Sequence, residues 1–229
     1  MNYNNLQLIE SNEIDRAILF AQAFTGQLAY SIKKDAKKQA GSLSTAYHRL
    51  KILESMGLAK FNRDAFEIKS NVVTQPFSIR KKLLESLTAL KNARRFGKYY
   101  NESDVNFAKK HLPRKFLTTL DYAVWELTRY QTPSEFYIYV EDVNESANYL
   151  IKNNFNEGKN GNVILLPKLG NFDNIIERIY LDCIAMGGRN TLDGIALEWL
   201  YGDSIQDRGY FPVELVKKVQ EDLPRLNIV

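Results

Sequence analysis

The sequence predicts an α+β protein with an N-terminal helical part that ends in a hairpin and a C-terminal part of helices around a small sheet. Apolar residues recur at helical spacing across 14–53, and a short alternating segment follows at 58–69. Two segments rich in aromatic and β-branched residues, 135–140 and 163–167, lie between helical stretches further along the chain. These observations predict helices and strands in both halves of the protein.

Three helices are expected first. The apolar positions of the first helix are Ile14, Ala17, Ile18, Ala21 and Phe24, with Ser11 or Asn12 as a cap. A second helix is expected from Gln27 to Gly41, with Leu28, Ile32 and Ala36 inward and four lysines outward. Ser42 is a natural N-cap for a third helix, because serine side chains accept bonds from the first free amides. Its inward positions are Leu43, Ala46, Leu50 and Leu53.

A hairpin is expected after the third helix. Residues 58–69 alternate in polarity around a turn at Asn62-Arg63-Asp64. Three helices followed by a hairpin is the order of a winged helix-turn-helix. The segment 42–58 resembles the recognition helix and wing entry of bacterial and archaeal winged-helix regulators, and this resemblance implies that residues 1–74 bind double-stranded DNA.

The outer face of the third helix carries the candidate DNA-binding residues. Side chains opposite the buried stripe reach base edges and phosphates when a helix lies in the major groove. These candidates are Ser44, Thr45, His48 and Lys51, with Tyr47 and Arg49 on the flanks and Arg63 at the tip of the hairpin. The alternative is a winged helix that contacts only protein, since Ile52 and Met56 also leave the predicted buried stripe.

The charge of the chain is unevenly distributed. Residues 1–100 carry 17 Lys and Arg against 8 Asp and Glu, whereas residues 101–229 carry 14 against 19. A basic half favours a polyanionic partner. Residues 75–98 are expected to form a connecting helix, from Pro76 to Gly97, that supports a homodimer on DNA. Its basic residues, which would either be solvated or extend the phosphate-binding surface, are Arg80, Lys81, Lys82, Lys91, Arg94 and Arg95.

The C-terminal part, 99–229, is expected to be a mixed helical and β-stranded domain. Its strands are predicted at 135–140 and 163–167. Its helices are predicted at 115–130, 144–150, 174–186, 191–201 and 212–222.

A second resemblance lies in the segment 178–196 of this domain. Tyr180-Leu181-Asp182 and Gly187-Gly188-Arg189 are similar to a pattern in AbiEi-type antitoxins of type IV toxin–antitoxin systems. This resemblance implies an autoregulating antitoxin that counters a nucleotidyltransferase toxin. The residues alone allow a structural alternative, in which the glycines end a helix tightly and Asp182 forms an ion pair with Arg189.

No catalytic motif stands out, and we expect no enzyme activity. The alternative is a nuclease with a restriction-like C-terminal domain, for which Glu141-Asp142, Lys168 and Glu157-Gly158-Lys159 supply the residue types but not the spacing. A DNA-binding protein of chromatin-like, non-specific character is the other alternative. Both alternatives keep the prediction that the first hundred residues bind DNA.

Cofactors, metals and membranes are not expected. The lone Cys183 and two histidines provide no zinc site at the usual spacings, and one cysteine forms no internal disulfide. No apolar stretch reaches the length of a membrane span, and no secretory signal is visible. We therefore expect a cytoplasmic protein without a cofactor.

Overall fold

The computed structural model describes residues 11–24, 29–69, 73, 75, 77–97, 102–112, 116–169, 172–209 and 211–223. The chain divides into unit 1, Met1–Arg80, and unit 2, Lys81–Val229. Each unit contains helices and one small sheet, which is the α+β class that the sequence predicts. Within the described residues, no helix combines the length and apolar character needed to cross a membrane.

Unit 1 combines short helices with a three-stranded sheet. In chain order its elements are α1 Ser11–Gln22, β1 Tyr30–Ser31, a π-helical turn Ile32–Ala36, α2 Lys37–Ala40, α3 Leu43–Ser55, β2 Ala59–Phe61 and β3 Ala65–Ile68. Strand β3 is central and pairs antiparallel with both β1 and β2. Phe61 lies opposite Phe66 in the β2–β3 pair, which confirms the predicted hairpin.

An aromatic cluster forms the contact between α1 and this sheet. The Phe66 side chain of β3 is buried, and its ring centroid lies 4.9 Å from that of Phe24 and 6.4 Å from that of Phe20. Tyr30 of β1 stacks on the same ring at 5.5 Å. Because aromatic rings bury large areas and pack with defined geometry, this cluster holds the sheet against α1.

The second helix begins later than the sequence predicts. Its expected start near Gln27 lies outside the described residues, and Tyr30–Ser31 form a strand instead of a helical turn. The Ser31 side chain then accepts a hydrogen bond from the Lys34 amide and starts the π-helical turn. The pairing of β1 with β3 thus outcompetes the local helical pattern. Gly41 ends α2 with φ +81°, a conformation that glycine adopts without strain.

Unit 2 contains the second sheet and most of the helices. The division between the units falls inside helix α4, Phe77–Lys91. The following elements are β4 Arg94–Phe96, α5 Glu102–His111, β5 Leu117–Thr119, α6 Leu120–Thr128, β6 Phe136–Val140, α7 Val143–Lys152, β7 Val163–Pro167, α8 Ile175–Met186, α9 Asn190–Tyr201 and α10 Val213–Asp222. The two predicted strands and the last three predicted helices are confirmed to within one residue at their ends.

The sheet of unit 2 is mixed, with strand order β4-β7-β6-β5. Strands β6 and β7 are parallel and are joined through α7, whereas β4 and β5 pair antiparallel at the two edges. All five residues of β6 are buried, as expected for a strand covered on both faces. On one face Phe136 and Ile138 pack with Val105 of α5 and Leu150 of α7.

Two predicted helices of unit 2 are partly wrong. The helix expected over 115–130 begins only at Leu120, because Leu117–Thr119 pair with β6 as an edge strand. The helix expected over 76–97 ends at Lys91, because Arg94–Phe96 pair with β7. In both places, unpaired backbone groups at the edges of the central strands are satisfied by a neighbouring segment. Helix α5 is a further element that the sequence pattern did not predict.

Candidate nucleic-acid interface

Helix α3 presents one side to the core and one side to solvent. The Ser42 side chain accepts a hydrogen bond from the Thr45 amide at 3.1 Å, which confirms the predicted N-cap. The predicted inward residues Ala46, Leu50 and Leu53 are fully buried. Because an α-helix has 3.6 residues per turn, the residues opposite this buried row face solvent.

Four predicted contact residues form one outward stripe on α3. They are Ser44, Tyr47, His48 and Lys51, at spacings of three and four residues. Ser44, His48 and Lys51 are exposed, and Tyr47 is half-buried. Among the described residues, Ser44 and Lys51 make no side-chain hydrogen bond or ion pair, so their polar atoms are available to a ligand.

Thr45 and Arg49 lie beside this stripe and not on it. The Thr45 hydroxyl is 2.8 Å from the hydroxyl of Ser42 and belongs to the helix cap. The Arg49 guanidinium lies over the ring of Phe20, 5.6 Å from its centroid, and the residue is half-buried. These two residues support the local structure of α3. Fewer of the predicted DNA-contact residues therefore face outward.

The hairpin turn is attached to the helices by several bonds. The Tyr47 hydroxyl donates to the Arg63 carbonyl at 2.9 Å, and the Ile32 amide donates to the Asp64 carbonyl at 2.9 Å. The Asn62 side chain also accepts from the amides of Asp64 and Ala65. The turn is therefore ordered relative to α3, while the Arg63 side chain remains exposed.

A basic surface surrounds the stripe and the turn. Residues 1–80 carry 11 Lys and Arg against 7 Asp and Glu, whereas residues 81–229 carry 20 of each. The exposed lysines of the π-helical turn and of α2 are Lys33, Lys34, Lys37 and Lys38. One of them, Lys33, lies 3.7 Å from the Asp64 carboxylate, but both side chains are exposed and such a pair contributes little. The excess positive charge therefore lies in unit 1.

Three basic residues of the connecting segment are paired with carboxylates of unit 2. Lys82 bonds to Glu177 at 3.0 Å and to Asp207 at 2.9 Å. The Arg94 guanidinium bonds to both oxygens of Glu157 at 2.8 Å. Arg95 pairs with Glu135. Burial lowers the pKa of Lys82, but its hydrogen bonds to Asp207 and Glu177 outweigh burial and raise it; the hydrogen bond to Glu157 raises the pKa of Arg94. These cations are internal partners of unit 2.

The residues that supported the protein-contact alternative are in the core. Ile52 is 4% exposed and Met56 is 2% exposed. The predicted buried stripe included only one row of apolar residues and therefore left Ile52 and Met56 at the surface. In the structure α3 is buried along more than one row. Neither side chain can form a docking surface.

Two candidate residues of the α8–α9 turn, Asp182 and Arg189, bond to different partners. The predicted ion pair between Asp182 and Arg189 is wrong. Asp182 is buried and accepts bonds from Thr119 at 2.6 Å and from Tyr139 at 2.8 Å. Arg189 is exposed and donates to Gln131 at 3.1 Å and to the Thr132 carbonyl.

The two glycines explain the change of direction between these helices. Gly187 and Gly188 both have positive φ, +71° and +58°, which is the left-handed region that glycine adopts at helix ends. Asp182 lies more than one turn before them and therefore faces the sheet, while Arg189 follows them and faces outward. The turn itself separates the two charges that the sequence pattern placed together.

Asp182 is the centre of a buried polar network. Arg178 donates to Ser86 at 3.0 Å and to Glu85 at 2.7 Å. Ser86 in turn hydrogen-bonds to Asp182. Burial raises the pKa of the Asp182 carboxyl, and Arg178 opposes that shift. The network joins α4, β5, β6 and α8.

The residues of the nuclease alternative do not form a metal site. Lys168 and Glu141 do meet at the carboxyl ends of β6 and β7, but they form an ion pair at 2.8 Å. Asp142 caps α7 by accepting from two backbone amides. Glu157 pairs with Arg94, which lowers the pKa of that carboxyl. Within the described part of the chain, no group of three His, Cys, Asp or Glu is placed to hold a metal ion.

No protein-family model, curated protein or solved structure matches the sequence. The basis for a functional proposal is therefore the geometry of unit 1. The arrangement in hand is an exposed polar and basic stripe on α3 beside an ordered basic turn, both in unit 1. Such a surface can bind an anionic, grooved partner.

Proposed function

We propose that this protein is a DNA-binding transcriptional regulator whose unit 1 acts as a winged helix-turn-helix on double-stranded DNA. The observation that carries the proposal is the element order helix, strand, helix, helix, strand, strand with sheet order β1-β3-β2. In this proposal α3 is the recognition helix and the β2–β3 hairpin is the wing. Helices in this position lie in the major groove.

The exposed stripe supplies the contacts for such a complex. Ser44 donates to or accepts from base edges, and Lys51 reaches base or phosphate oxygens. Arg63 at the wing tip reaches the DNA backbone or the adjacent minor groove. The lysines of the second helix add contacts with phosphates that are independent of sequence.

Fluorescence anisotropy on DNA from upstream of the protein's own gene tests this proposal. At physiological salt we expect binding that is at least about 10³-fold tighter than to random duplex, the lower bound for specific recognition. Equal affinity for both duplexes would replace the regulator by a non-specific, chromatin-like DNA-binding protein. Absence of binding to either duplex would reject the DNA proposal altogether.

Lys51→Ala is expected to weaken DNA binding. Loss of a base contact costs about 1–3 kcal/mol, equivalent to roughly 5- to 150-fold in affinity, and loss of a phosphate contact lowers the salt slope by about 1. The control is Lys217→Ala, an exposed lysine of α10 in unit 2. Unchanged affinity for the Lys51 variant would mean that α3 is not the recognition surface.

Tyr47 is expected to position the wing. Its hydroxyl holds the Arg63 carbonyl, and its ring lies 6.2 Å from that of Phe61 in β2. Tyr47→Phe keeps the ring and removes the bond, so we expect binding about 3- to 10-fold weaker, the value of one ordinary hydrogen bond. In an Arg63→Gln background the same change should have little further effect. Additive losses in this double-mutant cycle would assign Tyr47 a direct DNA contact.

Two narrower parts of the proposal concern partners. A homodimer would match a partly palindromic operator, and light scattering on the free protein measures the oligomeric state.

The antitoxin role rests on the resemblance of segment 178–196 to AbiEi-type antitoxins. A neighbouring gene for a nucleotidyltransferase, whose toxicity is relieved by co-expression of this chain, would support it. Because Asp182 and Gly187 are buried, toxin contacts would fall on other residues.

A further inference from the structure

A groove of about 410 Å³ lies along the C-terminal half of α9, next to α10. Its volume is within the range of small-molecule sites, roughly 300–1,000 Å³. The apolar lining consists of Ile195, Trp199, Leu200, Phe211 and Val216. Trp199 is 58% exposed, although tryptophan is usually more buried than this. The groove therefore offers an aromatic surface that the fold does not use.

One cation lines the groove. Arg208 is exposed, and no ion pair of its guanidinium occurs among the described residues. It lies so close to Gly202 that a Cβ at that position would be 2.9 Å from Nη2. An unpaired guanidinium beside an aromatic surface is suited to a carboxylate, which it binds through two parallel hydrogen bonds.

Negative groups line the same groove. The Glu198 carboxylate is oriented by a hydrogen bond from the Tyr180 hydroxyl at 2.7 Å, and the Gly209 amide donates to that hydroxyl. This arrangement brings Glu198 near the segment that carries Arg208. Asp203 is a second carboxylate in the lining, and α9 ends at Tyr201, where helix carbonyls add partial negative charge. These groups are suited to an ammonium.

We propose that this groove binds a free α-amino acid with an aromatic or large apolar side chain. A simple anion would meet two carboxylates and a simple cation would meet the guanidinium, whereas a zwitterion pairs with both. Arg208 binds the ligand carboxylate, Glu198 and Asp203 bind its ammonium, and the side chain packs on Trp199 and Phe211. The proposal does not depend on DNA binding, and it defines a small-molecule site in unit 2.

Tryptophan fluorescence tests this proposal directly. The chain has two tryptophans, and Trp125→Phe leaves Trp199 as the reporter in the full-length protein. We expect a saturable change on titration with L-phenylalanine. Phenethylamine lacks the carboxylate and 3-phenylpropionate lacks the ammonium, so each should bind at least about 10-fold more weakly, because each leaves polar groups of the site unpaired. Calorimetry on the unmodified protein should give the same affinity for phenylalanine.

Substitution of Arg208 tests whether its guanidinium binds the ligand carboxylate. Arg208→Gln should weaken phenylalanine binding about 10-fold and leave phenethylamine binding unchanged, so that the two ligands become similar. Gly202→Ala should weaken phenylalanine as well, because the added methyl displaces the guanidinium while every charge is kept. The absence of a saturable signal up to about 10 mM phenylalanine, weaker than any useful affinity, would overturn the proposal. Equal binding of phenylalanine and both analogues would also overturn it.

Discussion

Asp182→Ala is expected to destabilise unit 2 by about 2–6 kcal/mol, because loss of the carboxylate leaves two buried hydroxyl donors unsatisfied, at about 1–3 kcal/mol each. The Arg178 guanidinium would keep only Glu85 as a charged partner, and the hydroxyls of Thr119 and Tyr139 would lose their acceptor. Domains have a net stability of only about 5–15 kcal/mol, so this loss is a large fraction of the total.

Urea titration followed by tryptophan fluorescence measures this effect in the intact chain. Trp125 and Trp199 both lie in the segment assigned to unit 2, so the signal reports on that unit alone. Glu214→Ala, an exposed carboxylate on α10, is the control and should change the stability by less than about 0.5 kcal/mol. Equal midpoints for the Asp182 variant and the natural chain would show that the network carries no net stabilisation.

A double variant tests whether Asp182 and Arg178 stabilise the fold together. If Asp182 acts through Arg178, then Arg178→Met combined with Asp182→Ala should cost less than the sum of the two single changes, by about 1–3 kcal/mol. Strict additivity would instead assign the loss at Asp182 to the two hydroxyl bonds. This result would also bear on the antitoxin resemblance, because it would show whether the Tyr180-Leu181-Asp182 pattern is a requirement of folding.

Local sequence patterns predicted the elements that depend on near neighbours. The β2–β3 hairpin follows from alternation around Asn62, whose side chain bonds to the amides of Asp64 and Ala65. The cap of α3 at Ser42 and the strand at Val163–Pro167 are of the same kind. Each is specified by residues within a few positions, so the sequence shows its cause directly.

The short edge strands could not be predicted in this way. Leu117–Thr119 and Arg94–Phe96 are strands because β6 and β7 offer them free backbone partners far away in the chain. Their own residues contain no turn signal that would interrupt the helical pattern beside them. The same limit applies to Tyr30–Ser31, which pairs with β3.

Charge was the least reliable guide to the candidate interface. The first hundred residues have a large positive excess, but Lys82, Arg94 and Arg95 use their charge within unit 2. The surface that we propose to contact DNA is therefore smaller, with its best-placed side chains at Ser44, Lys51 and Arg63. Composition counts charges but does not show which of them already have partners.

Asp193 is expected to make the stability of unit 2 depend on pH. The residue is 2% exposed, and burial followed by the charge of Asp121 raises its pKa to about 7. One carboxylate oxygen accepts from Gln131 at 2.9 Å, and the other has no hydrogen-bond partner among the residues that the structure describes. Arg189 and Gln131 oppose the shift without cancelling it.

The direction of the effect follows from proton linkage. The folded state keeps a proton that the unfolded state, with a pKa near 3.8, has released. The free energy of unfolding therefore falls as pH rises from about 4 to about 7 and changes little above that, with roughly 1.4 kcal/mol lost for each unit of pKa difference. We expect a total loss on the order of 4 kcal/mol from this residue.

Asp193→Asn should remove this dependence, because the amide stays neutral and its oxygen can still accept from Gln131. At pH 8 the variant should be more stable than the natural chain by about 4 kcal/mol, and near pH 4 the two should converge. Asp173→Asn, at an exposed position, should keep the natural pH profile. Urea titrations at several pH values, followed by tryptophan fluorescence, give these curves. Parallel curves for the natural chain and the Asp193 variant would mean that Asp193 is ionised in the folded protein throughout this range.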